Sequence, residues 1–326
     1  MPVLLLPALL ALAFCGFIRP AAAEPITVRS AILELNPEQP SEKTLGRLDY
    51  LGGLILAGED SRFGGYSGLV VDADGGGLWA ISDTGHWLRL EFAANEAVPT
   101  GIARAEILPL LDQAGRPVAT RRDRDAEALR RTGDGRWLVA FERSHRIWTY
   151  AQPGGPATGE VALPLAAVEQ PSNGGVEAIA ALPGGALLLF SEELAAGEEA
   201  SAAWLKSGTG WRDLAWPLRD GFRPTDAAVI PANVAGAGDV LVLERFFTLL
   251  EGPKARLRRT PAAALAIPGP LPSGVVAEWA RPWSVDNMEA LDVRRAADGS
   301  AWLYVMSDDN RNPLQRTLLM VFRLRP

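Results

Sequence analysis

Residues 175–192 read GVEAIAALPGGALLLFSE, and this pattern decides the fold. An acid followed by a small and an aliphatic residue opens an apolar run, Pro183-Gly184-Gly185 interrupts it, and a second apolar run ends at the acid Glu192. Two short apolar runs joined by a Gly-rich turn predict a β-hairpin. Because the hairpin strands are antiparallel, the start of the first strand and the end of the second lie at the same edge.

The pattern occurs five times along the chain. The centres of the first motif are Gly68, Glu127, Glu177, Asp226 and Glu289. The acids that end the second run are Asp83, Glu142, Glu192, Glu244 and Asp308, 15 to 19 residues after those centres. Each hairpin is followed by one or two further strand-like runs, and the fourth run of the second repeat is expected over residues 160–165. Four antiparallel strands recurring every 49 to 63 residues, the spacings between successive centres, are typical of propeller blades.

The last repeat has no fourth strand before the chain ends at Pro326, and the run Leu51 to Ala57 can supply it. We therefore expect an all-β propeller of five four-stranded blades, closed by pairing of the N- and C-terminal strands. Residues 26–35 are not assigned to a blade, so six blades remain an alternative. A two-sheet β-sandwich is the competing fold.

The composition limits the chemistry. The chain has 32 Lys and Arg against 39 Asp and Glu, a net charge of −7, so it lacks the basic character of a nucleic-acid binder. Two His and one Cys leave little for imidazole clusters, thiolate nucleophiles or Cys-rich zinc sites. A functional site must be built from carboxylates, Arg, amides and hydroxyls.

The first 23 residues contain an apolar run from Val3 to Ile18 and end in Ala21-Ala22-Ala23. This pattern predicts a cleaved signal peptide, residues 1–23, followed by a single domain, residues 24–326. The protein is then periplasmic or secreted, with no stable membrane span after cleavage. A retained N-terminal anchor is the alternative, although Pro7 and Gly16 break the apolar stretch.

The repeated acids should meet on one face of the ring, around the central channel. They are Asp83, Glu127, Glu142, Glu177, Glu192, Asp226, Glu244, Glu289 and Asp308. Carboxylates brought close together raise one another's pKa unless cations or Arg side chains compensate them. A purely structural role, in strand caps or ion pairs, is the other interpretation of each acid.

A hard cation such as Ca²⁺ suits a set of oxygen ligands without His or Cys. The predicted metal ligands are Asp83, Glu127, Glu177, Asp226, Glu289, Asp308 and Asp309. Three arginines could bind an anionic substrate: Arg143 and Arg245, which directly follow acids of the repeat, and Arg316 in the last repeat.

Several segments resemble a known bacterial family, the phytase-like domain, also called esterase-like activity of phytase. They are residues 62–69 (RFGGYSGL), 81–85 (ISDTG), 125–127 (DAE), 173–178 (NGGVEA), 286–291 (DNMEAL), 307–310 (SDDN) and 315–319 (QRTLL). The resemblance implies a secreted or periplasmic β-propeller that acts on phosphate esters or other esters. Arg311 departs from the aromatic or small residue expected after Asn310.

Two functions follow as hypotheses. The first is an exported hydrolase of a small anionic or ester substrate, with Glu127, Glu177, Glu289 and Asp308 as predicted catalytic residues and Ca²⁺ as cofactor. The second is a non-catalytic propeller that binds a ligand or a protein partner on the same face. A serine esterase is disfavoured because Ser67 lies in GYSGL, which lacks the last glycine of G-x-S-x-G.

Overall fold

Five small β-sheets arranged in a ring make up the computed structural model, which describes residues 22–95, 98–196 and 199–326. Each sheet has four to six strands, and the first strand of each lies nearest the axis, beside the first strands of its two neighbours. The prediction of a five-bladed, all-β propeller is confirmed.

Two blades follow four N-terminal strands. The N-terminal strands are β1 (Glu24–Pro25), β2 (Val28–Ile32), β3 (Thr44–Leu45) and β4 (Leu48–Gly58). Blade 1 contains β5 (Tyr66–Val71), β6 (Gly77–Ser82), β7 (His86–Asn95) and β8 (Val98–Pro109). After helix α1 (Arg121–Arg124), blade 2 contains β9 (Ala126–Arg131), β10 (Trp137–Phe141), β11 (Arg146–Tyr150) and β12 (Ala157–Val161).

Three more blades complete the ring. After helix α2 (Leu165–Val168), blade 3 contains β13 (Val176–Ala181), a 3₁₀ turn (Pro183–Gly185), β14 (Leu187–Ala195), β15 (Ala200–Ser207) and β16 (Gly210–Pro217). Blade 4 contains β17 (Arg223–Val229), β18 (Val240–Thr248), β19 (Gly252–Thr260), a 3₁₀ helix (Ala262–Ala266), the two-residue β20 (Gly269–Pro270), which joins blade 3, and β21 (Gly274–Trp279). Blade 5 contains β22 (Asn287–Arg295), β23 (Ala301–Asp308) and β24 (Thr317–Leu324).

The two ends of the chain close the ring in blade 5. Strand β24 pairs antiparallel with β4, from Thr317 opposite Leu56 to Leu324 opposite Leu48, which confirms the predicted closure. The unassigned N-terminal segment forms no sixth blade. Its strand β2 extends blade 5 beyond β4, and β1 extends blade 1 beyond β8.

One predicted strand boundary is wrong. The fourth strand of blade 2 was expected over residues 160–165, but β12 ends at Val161 and Leu165 begins α2. Pro164 precedes the helix in an extended conformation. Proline has no N–H to give to a strand ladder, and it is tolerated where a helix begins, so the chain leaves the sheet here.

Aromatic side chains fill the space between blades 1 and 2. The ring of Trp87 meets those of Trp79, Trp137 and Tyr150 edge to face, with centroids 5.5 to 6.4 Å apart. Such pairs add to the free energy of burial and fix the angle between sheets.

A buried arginine occupies the axis of the ring. The guanidinium of Arg130, on β9, donates to the carbonyl of Ile179 at 2.9 Å, to Asp292 at 3.0 Å and to Asp226 at 2.6 Å. These partners belong to the innermost strands of blades 3, 5 and 4. One side chain therefore joins four blades.

The two carboxylates extend this axial network to blade 1. Asp292 accepts a hydrogen bond from the N–H of Val71, on β5, at 2.8 Å. Asp226 accepts one from the N–H of Leu291, on β22, at 2.7 Å. The innermost strands of all five blades are thus held by one connected set of charged hydrogen bonds.

Within the ranges given above, no helix is long and apolar enough to cross a lipid bilayer. The predicted signal peptide falls on residues 1–23, of which 1–21 lie outside the described residues.

Replacing Arg130 with Met should lower the free energy of unfolding by about 3–5 kcal/mol, because Asp226 and Asp292 lose the charge that compensates them. Urea unfolding at pH 8 measures this change. Arg136→Met is the matched control, because Arg136 pairs with Asp134 at an exposed turn and should cost at most about 1 kcal/mol. Equal losses in the two variants would refute the role assigned to the axial network.

Candidate functional site

A β-bulge lies near the start of the innermost strand in every blade. In blade 2, Ala126 pairs with Phe141 and Ala128 with Ala140, so Glu127 between them has no partner on β10. The equivalent residues in blades 1 to 5 are Ser67, Glu127, Glu177, Thr225 and Glu289. Bulges redirect a side chain away from the regular alternation of a strand. Three blades thereby direct a glutamate to one end of the ring.

The bulge corrects the predicted alignment in two blades. The repeat was centred on Gly68 and Asp226, whereas the bulged residues are Ser67 and Thr225, one position earlier. The shift matters because neighbouring strand residues point in opposite directions. Asp226 therefore lies in the axial network with Arg130, and not among the carboxylates at the end of the ring.

The second strand of each blade leads to one further charged residue. It directly follows the second-strand residue that pairs with the residue before the bulge. In blades 1 to 5 these are Asp83, Glu142, Glu192, Arg245 and Asp308. Blade 4 thus contributes an arginine. Glu244, which the sequence pattern placed on this face, is one residue earlier and fully buried, where it accepts from Trp216 at 2.7 Å and pairs with Arg258 at 2.9 Å.

We call the resulting site the acidic funnel. Its acids are Asp83, Asp125, Glu127, Glu142, Glu177, Glu192, Glu289 and Asp308, and its cations are Arg143 and Arg245. Arg245 pairs with Glu192 at 2.7 Å and with Glu289 at 3.0 Å, which links blades 3, 4 and 5. Arg143, held at a positive φ of 58°, pairs with Asp125 and lies 3.5 Å from Glu142.

Burial and mutual repulsion raise the pKa of several funnel carboxyls. Desolvation raises the pKa of Glu127 and Glu177 well above the usual range, and neighbouring carboxylates raise it further. Burial also raises the pKa of Asp308 well above its usual value. Desolvation raises the pKa of Glu289 to about 7 although Arg245 opposes the shift, and that of Asp83 to about 6 although Arg311 opposes it. The neighbouring arginines Arg245 and Arg311 therefore do not offset the cost of burying Glu289 and Asp83 as carboxylates.

One group of acids has the spacing of a metal site. Asp125, Glu127 and Glu142 each offer an oxygen within 4.8 Å of the others. All three are carboxylates, the donor type preferred by hard cations such as Ca²⁺. Glu127 belongs to the predicted ligand set, whereas Asp125 and Glu142 were not selected as ligands. Both could have been selected from the sequence, because Asp125 lies two residues before Glu127 and Glu142 is the acid that ends the second run of the same repeat.

A second cluster of predicted ligands lies between blades 5 and 1. The carboxylate of Asp309 accepts from the N–H of Gly65 at 3.1 Å and from the hydroxyl of Thr317 at 2.9 Å. One oxygen of Asp83, Oδ1, is buried and has no hydrogen-bond partner among the described atoms. Asp309 therefore holds the loop of Gly64 and Gly65, which lies against Asp83.

Two glycines let that loop approach the acids. Gly64 and Gly65 have φ of 110° and 71°, a region favoured only by glycine. A Cβ on Gly65 would lie 2.2 Å from Oδ1 of Asp83, and one on Gly64 would lie 2.7 Å from Oδ1 of Asp309. Arg311, the departure noted in the sequence, clamps the same loop by donating to the carbonyl of Ser61 at 2.7 Å.

Arg316 contacts residues other than the funnel acids. Its Nε is 3.5 Å from Asp286, and its guanidinium also donates to the carbonyl of Val285. Of the three predicted substrate-binding arginines, the structure therefore brings Arg143 and Arg245 to the funnel carboxylates and pairs Arg316 with Asp286, in the connection between blades 4 and 5.

Comparison with known proteins gives one family match. The sequence profile of the phytase-like family, described as esterase-like activity of phytase, matches residues 61–311. A search of curated protein sequences finds no match.

Several solved structures have a similar course of chain at low identity. The catalytic domain of a GH62 α-L-arabinofuranosidase from Coprinopsis cinerea has a TM-score of 0.51 and 12% identity, covering 86% of this chain and 99% of that one. The WD40 domain of Neurospora crassa Pan2 has a TM-score of 0.42 and 10% identity, covering 87% and 98%. A luciferin-regenerating enzyme has a TM-score of 0.41 and 11% identity, covering 80% and 93%. The likeness to the arabinofuranosidase concerns the fold alone.

The raised pKa values predict how stability depends on pH without metal. Glu289, Glu127, Glu177 and Asp308, whose pKa values burial raises, keep protons in the folded protein that the unfolded chain has lost above pH 6. Stability in EDTA should therefore fall between pH 6.5 and 8.5, by up to about 1.4 kcal/mol per pH unit for each proton retained. The opposite contribution of His86, whose pKa burial lowers from 6.5 to about 4, levels off as the unfolded imidazole loses its proton, about one pH unit above 6.5, and is smaller over this range than the loss from the retained acid protons.

Urea unfolding in EDTA across this range measures the effect. Glu127→Gln should reduce the slope and stabilise the protein at pH 8.5, while Glu160→Gln, at an exposed position on β12, should leave the slope unchanged. A wild-type stability that is flat or rises over this range would contradict the account.

Proposed function

The chain belongs to the phytase-like family, whose description is esterase-like activity of phytase, and we propose from this membership and from the acidic funnel that it is a metal-assisted hydrolase of phosphoric esters. The observation that carries the proposal is the charge of the funnel. Eight carboxylates face two arginines, and both arginines are already engaged by acids. Such a site gains stability from a divalent cation, which in turn attracts an anionic ester.

The residues that would hold Ca²⁺ are Asp125, Glu127 and Glu142, with Glu177 nearby. Their donor chemistry fits, because all are carboxylates and neither a His nor a Cys is among them. The predicted ligands Glu289, Asp308 and Asp83 belong to the same funnel, and the unpartnered oxygen of Asp83 is a further available acceptor. A bound cation would supply the positive charge that phosphoryl oxygens require.

Glu289 is suited to proton transfer. Its pKa near 7 lets it accept a proton from an attacking water and return it at neutral pH. Arg245 holds the Glu289 carboxylate at 3.0 Å and so fixes its position. Arg143, about one third exposed, is placed to donate charge-assisted hydrogen bonds to a substrate oxygen at the mouth. No covalent nucleophile is required.

The protein would carry out this reaction after export, as the apolar leader and the family membership indicate. The substrate proposed is a small phosphate ester. The alternative is a non-catalytic propeller that binds a ligand on the same face, where the ion pairs of Arg143 and Arg245 would hold the funnel acids in position.

Hydrolysis of p-nitrophenyl phosphate, a soluble phosphomonoester, tests the proposal. Activity should require Ca²⁺ and disappear in EDTA. Glu289→Gln should lower kcat by about 10²-fold or more and remove the limb of the pH profile near 7, whereas Glu160→Gln should match the wild type. Activity that is absent in every metal, or indifferent to chelation and to Glu289→Gln, would defeat the proposal. Ligand binding without turnover would support the binding propeller instead.

A further inference from the structure

Arg143 already contacts two of the three carboxylates that have the spacing of a metal site. We call Asp125, Glu127 and Glu142 the acid triad, since each offers an oxygen within 4.8 Å of the others. The guanidinium of Arg143 donates to Asp125 and lies 3.5 Å from Oε2 of Glu142. Ca²⁺ holds its oxygen ligands at about 2.3–2.6 Å. The guanidinium and a bound cation would therefore compete for the same carboxylates.

The exposure of these side chains shows that Arg143 caps the acid triad. The Arg143 side chain is 33% exposed, whereas those of Asp125 and Glu142 are 9% and 12% exposed. The acids thus lie deeper than the cation that pairs with them. Glu127 forms no ion pair with any described residue. A single guanidinium on the solvent side therefore compensates a triad of carboxylates only in part.

The backbone of Arg143 is held in a strained turn at the mouth of the funnel. Its φ of 58° lies in the left-handed region, which residues other than glycine disfavour. The N–H of Ser144 donates to the carbonyl of Glu142 at 2.5 Å, which closes a three-residue turn around Arg143. Strain of this kind is concentrated at ligand-binding sites and switch regions. The turn fixes the Cα of Arg143 whatever its guanidinium contacts.

One contact of Arg143 does not involve the acid triad. Its Nη1 donates to Oδ1 of Asn173 at 3.3 Å, and Asn173 is exposed in the connection between blades 2 and 3. A guanidinium that leaves Asp125 can keep this neighbour and so remain at the mouth. Its other N–H groups would then be available to an anion, and their forked arrangement matches the oxygens of a phosphoryl group.

The other funnel arginine is not in competition with a cation at the acid triad. Arg245 pairs with Glu192 at 2.7 Å and with Glu289 at 3.0 Å, and neither acid belongs to the triad. Metal binding at the triad leaves both of these pairs in place. The two arginines of one funnel should therefore respond differently to the same ion.

We propose that Arg143 is an exchangeable counter-cation. It pairs with Asp125 and Glu142 in the metal-free protein, gives up both acids when the triad binds a divalent cation, and then binds the anionic group of the substrate. Repulsion between two cations grows as they approach, so both cannot be held tightly by the same carboxylates. Binding is therefore ordered, with the cation first and the anion second. This inference rests on the metal site of the proposed function and specifies how that site is regulated.

NMR of the arginine Nε–H groups, in protein with isotope-labelled arginine, tests the exchange directly. Without metal, the Arg143 Nε–H should exchange slowly with water, because it donates to Asp125. Saturating Ca²⁺ should speed this exchange by about tenfold or more, since the charged hydrogen bond is lost. The Nε–H of Arg245, buried in the same funnel, is the internal control and should keep its rate. Arg143→Gln and Arg245→Gln assign the two signals.

Calorimetric titration of Arg143→Gln gives a second readout. Because the competing charge is gone, this variant should bind Ca²⁺ about tenfold more tightly than the wild type. Arg122→Gln is the matched control, since it removes the same charge from an exposed residue of α1 that forms no ion pair with any described residue. It should change the affinity by less than about threefold. In saturating Ca²⁺, phenylphosphonate should bind Arg143→Gln about tenfold more weakly than the wild type.

An Arg143 Nε–H that keeps its slow exchange in Ca²⁺ would overturn the inference and leave the metal site standing. So would a calcium affinity of Arg143→Gln no higher than that of Arg122→Gln, or equal phenylphosphonate binding by Arg143→Gln and the wild type. Calcium binding by Arg143→Gln alone would also overturn it, because Arg143 would then exclude the cation.

Absence of calcium binding in both proteins would overturn the inference together with the metal site. None of these measurements needs turnover. A protein that shows the exchange and hydrolyses no ester would contradict the proposed hydrolysis and support the exchange, so the two failures are distinguishable.

Discussion

The ring depends on one buried guanidinium. Arg130 reaches from blade 2 to Ile179, Asp226 and Asp292, and the two carboxylates carry the hydrogen bonds on to blades 5 and 1. Removing charges from water costs several kcal/mol per ion, so the network is stable only when every member is paired. Directional hydrogen bonds therefore fix the innermost strands of the five sheets relative to one another at the axis. We regard this network as the reason why the funnel above it has a defined shape.

The β-bulges place the funnel side chains at one end of this fixed axis. Each innermost strand leaves the regular alternation at one residue, and in three blades that residue is a glutamate directed to the funnel. The strands continue below the bulge in regular register, so Asp226 and Arg130 face the axis while Glu127, Glu177 and Glu289 face the opening. Charged residues of the axial network and charged residues of the funnel are therefore only a few positions apart on the same strands. The same separation distinguishes buried Glu244 from Arg245, its neighbour in the funnel.

The five blades and their closure could be predicted because they depend on local pattern: apolar runs, Gly-rich turns and a recurring spacing. The exact residue that faces the funnel could not, because a bulge shifts the alternation by one position and leaves no mark in composition. That is why Asp226 and Glu244 were placed on the funnel face, and why Ser67 and Thr225 were not recognised as bulge residues. Arg245 was predicted to bind an anion at this face, but not to take the place in blade 4 that an acid takes in the other blades. The partners of Arg130 depend on strands far apart in sequence. Arg311 illustrates the same limit, since its role as a clamp appears only when blades 5 and 1 meet.

We propose that the acidic funnel binds a divalent cation in place of protons. Calcium titration at pH 7 in weak buffer, with the released protons followed by pH-stat, tests it most directly. The account predicts saturable binding with release of about one proton or more per ion, because a cation lowers the pKa of the funnel carboxyls. Glu127→Gln should reduce both the affinity and the proton release. Absence of binding at millimolar calcium, or binding with no proton release, would contradict the account.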